Sequence, residues 1–188
     1  MKNIVEKIAS IPHWYGIAII LVYALLMAEF YSAINDLCID DDIKVSSIME
    51  VFLGVSYVLT IISSIMVWII LCLIFHLAAL LFDGKQAFSK FLFTSSYLYI
   101  IPSIALFIVI LMIGNLEVEE SENMIEKLMD NSRFKLIMSI VNYSFYPFYL
   151  LTACIIHHLY NLKWLYAILV VIIPIVSIWG VTELFRLL

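Results

Sequence analysis

Residues 51–82 read VFLGVSYVLTIISSIMVWIILCLIFHLAALLF, with no Asp, Glu, Lys or Arg between Glu50 and Asp83. A run of that length and apolarity cannot hide in the core of a small water-soluble domain. Coiled as a helix at 1.5 Å per residue, it exceeds the roughly 30 Å hydrocarbon core of a bilayer. Either it tilts or one end leaves the membrane. His76 marks the interface in this reading, with Leu77–Phe82 lying along it. Asp83-Gly84 then breaks the helix, and Gly84 is expected to be its left-handed cap. Lys85–Lys90 is expected to start the next helix.

The same pattern repeats on both sides. Trp14–Ile34, Phe91–Gly114, Leu136–Ile156 and Trp164–Val181 are apolar stretches that meet or approach the length of a spanning helix. Of the whole chain 65% is hydrophobic and 13% charged, and the mean hydropathy is +1.10. Water is the wrong solvent for such a composition. The fold class expected is therefore all-α: a polytopic helical membrane protein with five transmembrane helices, residues 1–188 forming a single membrane domain. The first stretch is longer than a signal-peptide core and lacks a small-residue cleavage site after it, so it reads as a retained anchor. Pro12 suits the first turn of its helix, and Trp14 and Tyr15 sit where interfacial aromatics anchor. Pro102, Pro147 and Pro174 fall inside the third, fourth and fifth stretches and are expected to kink them.

The net charge of −5 is local. One acidic block is Asp36, Asp40, Asp41 and Asp42; the other is Glu117, Glu119, Glu120, Glu122, Glu126 and Asp130. No basic cluster is present to bind nucleic acid or a patch of anionic lipid heads. Within the second block, Asn123 with Glu126 resembles a capping box, and Met124, Ile125, Leu128 and Met129 share a face, as in a short helix lying on the bilayer. Lys and Arg divide evenly across the five spans, so the positive-inside rule is silent. The acidic loops favour a cytoplasmic N-terminus, with Lys85 inside and Asp41 and Glu120 outside, in a bacterial inner membrane.

The polar residues offer few chemical constellations. His13, His76, His157, His158 and Asp83 fall on one side in this topology, but their spacing matches no metal signature. They read as interfacial side chains. Cys38, Cys72 and Cys154 are far apart and form no CxxC; Cys72 and Cys154 read as small apolar residues. GxSxG, HExxH and a phosphate-binding glycine loop are all absent, so no catalytic residue, cofactor or metal is expected. Glu29 is the one acid within a span, and so a candidate intramembrane site. Asn142, Tyr143 and Tyr146, in the run NYSFYPFY, are the other candidates, lining a polar cavity or bonding across helices. Thr94, Ser95, Ser96, Tyr97 and Tyr99 are expected partners for that run.

The middle of the chain carries a family resemblance. Residues 76–88, HLAALLFDGKQAF, resemble the Yip (Ypt-interacting protein) family, in which a second span ends in an interfacial segment followed by a Gly-containing turn and a Phe. Tyr97-Leu98-Tyr99-Ile100-Ile101-Pro102 is similar to that family's aromatic-to-proline step, and residues 157–164, HHLYNLKW, to its turn between the last two spans. The resemblance covers roughly residues 48–181. It implies five spans with a cytoplasmic N-terminus and no catalytic residues, and singles out the turn of His76, Asp83 and Gly84. The eukaryotic members' polar N-terminal region, connected with small-GTPase binding, has no counterpart before the first span. The implied role is that of an accessory or organising subunit of a membrane transport or trafficking complex, with the bilayer and a membrane-protein partner or second copy as its contacts. A small-molecule or ion carrier using Glu29 and the Tyr-rich run is the alternative.

Overall fold

The structure is a computed structural model that describes residues 2–38, 47–116 and 128–187. Asp40–Asp42, and Glu117 to Glu126 with most of the expected surface helix, lie outside the described residues. The regular elements of the described chain are all helices: α1 (Lys2–Ala9), α2 (His13–Cys38), α3 (Ser47–Leu81), α4 (Phe88–Ser96), a 3₁₀ turn (Tyr97–Tyr99), α5 (Ile100–Ile113), α6 (Ser132–Leu159) and α7 (Trp164–Leu187). Five segments are long and apolar enough to cross a membrane: α2, Met49–Leu81, Phe88–Ile113, α6 and Trp164–Arg186. The protein is a multi-pass helical membrane protein.

The long apolar run becomes one unbroken helix. α3 holds 35 residues, roughly 52 Å at 1.5 Å per residue, and continues through His76 to Leu81. Polar side chains inside the helices are neutralised locally. Thr60, Ser64, Ser139, Thr152, Ser177 and Thr182 each donate a hydroxyl hydrogen to the carbonyl four residues earlier. That bond removes the cost of placing a hydroxyl in a medium that offers no partner.

The prolines act in two ways. Pro147 and Pro174 are absorbed within continuous α6 and α7. Pro102 sits in the first turn of α5, directly after the 3₁₀ turn Tyr97–Tyr99. The third span is therefore two α-helices joined by a tighter turn, and the break falls just before the proline, whose ring excludes the carbonyl four residues back.

By Cα packing the chain divides into two compact units. The first comprises Met1–Ile19, Val67–Tyr99 and Pro147–Leu188. Its core includes Phe75, Ala79, Phe91, Ile156, Ala167 and Val170, all buried. The start of α2 is locked to α4 there: His13 stacks on Phe93 with centroids 4.3 Å apart, and the Tyr97 hydroxyl donates to the Pro12 carbonyl at 3.1 Å. A Cβ on Gly16 would overlap the Ser96 hydroxyl and lie 3.3 Å from the Phe93 carbonyl oxygen, so this crossing is close and a side chain at 16 would require Ser96 to turn away. The second unit comprises Ile20–Met66 and Ile100–Tyr146. Ala24, Ala28, Leu106, Val109 and Ile137 are buried within it, and Leu116, Leu128 and Phe134 form a cluster with Ile34, Leu37, Cys38 and Met138.

Candidate functional site

In the first unit, the end of α3 is a Schellman turn. The Gly84 N–H donates to the Ala79 carbonyl at 3.0 Å, and the Asp83 N–H to the Leu80 carbonyl at 3.1 Å. These are the 6→1 and 5→2 bonds of that motif. The left-handed residue is Asp83, at φ 63°, and no glycine has positive φ among the described residues. The expectation that Gly84 is the left-handed cap is thus corrected, because Asp83 takes that position one residue earlier. Gly84 is needed for space instead. A Cβ there would lie 2.7 Å from the Ala79 carbonyl oxygen and 2.9 Å from the Tyr160 ring. Residues 84–87 are non-helical and α4 begins at Phe88, later than expected, after an extended Ala87.

Gly84 makes room for Tyr160, and Tyr160 meets His76. The His76 Nδ1 and the Tyr160 hydroxyl share a hydrogen bond of 2.5 Å, between residues 84 positions apart. Phe88 flanks the imidazole at 5.3 Å and Phe91 meets the Tyr160 ring edge-on at 5.7 Å. His76 and Tyr160 are 9% and 3% exposed, so the pair is closed to solvent and lipid. Burial pushes the Tyr160 hydroxyl's pKa well up. One turn before His76 on α3, the Cys72 thiol and the Ser95 hydroxyl lie 3.2 Å apart, both buried. Gln86 donates to the Leu159 carbonyl at 3.1 Å and accepts from the Ala87 N–H at 3.1 Å, joining this turn to the end of α6.

His157 and His158 lie with ring centroids 4.7 Å apart, both against Trp164. His157 donates from Nδ1 to the Leu162 carbonyl and stacks on Trp164 at 4.2 Å. That bond fixes a proton on Nδ1, since a carbonyl only accepts. It closes the turn between α6 and α7, where Asn161 supplies the left-handed residue at φ 54°. Among the described residues no three His, Cys, Asp or Glu side chains are grouped to hold a metal ion.

The second unit contains the intramembrane candidates. The Tyr57 hydroxyl donates to Glu29 Oε1 at 2.6 Å, linking α2 to α3. Glu29 itself is exposed. Asn142 is exposed too, and Tyr143 and Tyr146 are 63% and 68% exposed and stack on each other at 5.8 Å. They face outward from α6 and do not line a closed cavity. Of the expected hydroxyl partners, Thr94, Ser95 and Ser96 donate to carbonyls of their own helix and Tyr97 to Pro12, while the Tyr99 ring meets Phe148 of that run edge-on at 4.9 Å.

The sequence had singled out His76, Asp83 and Gly84, but Tyr160 only as part of a turn, and it gave Cys72 no polar partner. Nothing local signals a bond to a residue 84 positions away. No family model, characterised protein or solved structure matches the chain.

Proposed function

We propose that this is a non-enzymatic protein of the bacterial inner membrane, with a cytoplasmic N-terminus. It acts by contact, as an accessory or organising subunit of a membrane transport or trafficking complex, in line with the Yip-type resemblance. One observation carries the reading: among the described residues, the second half of α7 is left almost entirely exposed. Val170 and Val171 are buried, but from Val176 to Arg186 every residue is exposed except Glu183, which is half-buried. A helix that packs within its own protein buries one stripe; this segment buries none. It also carries Ser177, Gly180, Thr182 and Glu183, and a Cβ on Gly180 would meet nothing within 4 Å. Small and hydroxyl-bearing residues let helix backbones approach closely in lipid, where apolar area alone gives no drive to associate.

The test is a photoreactive residue at position 180, with a second at Val58 of α3, also outward-facing at 54% exposure, as the lipid-facing comparison. A discrete protein adduct in native membranes at 180, and none at 58, is expected. An adduct of twice the chain's mass identifies a second copy as the partner; lipid adducts alone at 180 overturn the reading. Orientation is tested apart from this, by labelling single cysteines in a cysteine-free background. Lys85→Cys is expected to resist external reagents, and external labelling there reverses the orientation.

A further inference from the structure

In the second unit a groove of about 460 Å³ runs between the end of α5 and the start of α6. Ile108, Leu111, Met112 and Ile137 form its apolar walls, and Asn115 and Arg133 stand at its polar end. Asn115 follows the end of the third span at Ile113, and Arg133 is the second residue of the fourth, Ser132–Leu159. The groove therefore starts at the level where the spans leave the hydrocarbon and descends along them. Among the described residues, no carboxylate lies within ion-pair distance of the Arg133 guanidinium. The neighbouring cation, Lys135, is already paired with Asp130 at 3.2 Å. The helix's first amides are also engaged, since Asn131 Oδ1 accepts from the N–H groups of Arg133 and Phe134. Asn115 Nδ2 donates to the Leu111 carbonyl, which leaves its amide oxygen as an acceptor without a partner among the described residues.

We propose that this groove binds one phospholipid with an anionic headgroup. The phosphate pairs with the Arg133 guanidinium, a headgroup hydroxyl donates to the Asn115 oxygen, and one acyl chain lies against Leu111, Met112 and Ile108. Guanidinium suits the role because its planar fork matches a phosphate's oxygens and it is less strongly hydrated than an ammonium. The apolar walls select a lipid over a soluble phosphate, which would leave them uncovered. The sequence has no basic cluster, so recognition rests on one cation joined to a shaped apolar surface, not on a diffuse positive patch.

The test uses the full chain in neutral detergent with equal amounts of phosphatidylglycerol and phosphatidylcholine, and counts retained lipid by native mass spectrometry. One phosphatidylglycerol is expected to be retained. Arg133→Gln should lower its retention on the order of fivefold, the factor one basic residue near a membrane surface supplies, to the level of phosphatidylcholine. Leu111→Trp, at a position 57% exposed, should fill the groove and lower retention of both lipids. Lys135→Gln should change nothing. Equal retention by wild type and Arg133→Gln overturns the proposal. So does an equal loss in Lys135→Gln, which means diffuse attraction, or displacement of the lipid by millimolar inorganic phosphate, which means a plain anion site. The two charge variants decide the matter even if Leu111→Trp does not fold, because both positions are exposed.

Discussion

Two polar pairs join helices in this protein, and they sit in opposite surroundings. His76 and Tyr160 are buried among Phe88 and Phe91, while the Tyr57–Glu29 bond lies on an exposed surface. Both bonds are short, at 2.5 and 2.6 Å. What separates them is what happens when one partner is lost. An imidazole or phenol orphaned in a closed site has no substitute partner, whereas a carboxylate at an outward-facing position has room to turn along its helix toward a headgroup or another protein. The buried pair is thus expected to hold the fold, and the exposed pair to be replaceable, although the exposed pair includes the residue the sequence marks most strongly, the lone intramembrane acid Glu29.

The largest effect that can break this contrast is at Gly84. Any Cβ there presses on the Ala79 carbonyl and on the Tyr160 ring, and backbone cannot yield as a flexible side chain does. Gly84→Ala is expected to lower stability by about 1–3 kcal/mol, and Gly84→Val by more, measured by denaturant unfolding in detergent. Asp83→Gly should be tolerated, because Asp83 is the residue at positive φ and glycine adopts that conformation freely. Loss of stability in Asp83→Gly with none in Gly84→Ala would return the cap to Gly84.

Next comes the pair itself. Tyr160→Phe keeps the ring but leaves His76 Nδ1 without its partner, at a cost of roughly 1–3 kcal/mol. Tyr57→Phe, the matching change at the exposed pair, should cost under about 1 kcal/mol. Equal losses from the two substitutions would erase the distinction drawn between the pairs.

Alkaline pH sharpens it further. A phenol is neutral when protonated, and burial raises the Tyr160 pKa, so the folded chain holds that proton more tightly than the unfolded chain does. The resulting stabilisation is fully present below the unfolded value near pH ~10 and is lost as pH rises toward the folded one. Stability should decline above pH ~10 in wild type, and less steeply in Tyr160→Phe. Tyr143→Phe, at a 63% exposed position, should decline as wild type does. The same slope in all three proteins would show that Tyr160 ionises as a surface tyrosine.

The smallest effect is expected at Glu29. Glu29→Gln keeps the acceptor oxygen that Tyr57 uses and should change stability by less than about 0.5 kcal/mol. It should also leave function intact if the acid is structural. A well-folded but inactive Glu29→Gln protein would mean that the charge itself works, and would favour a carrier.

The sequence by itself determined the solvent, the class and the count of spans. Those follow from length and apolarity, which are properties of each segment alone: a helix satisfies its own backbone, so a long apolar run in lipid has little alternative. Its punctuation was legible to within a few residues, as at Asp83-Gly84 and in the turn after His157. What required the tertiary structure were relations between distant segments. These include which of Asp83 and Gly84 takes the left-handed conformation, that Gly84 clears space for Tyr160, and that Tyr160 finds His76. They also include Cys72 meeting Ser95, and Asn142, Tyr143 and Tyr146 facing out instead of lining a cavity. In an apolar span nearly every face is hydrophobic, so periodicity carries little information about which face packs inward. Only the fit of one helix against another decides it.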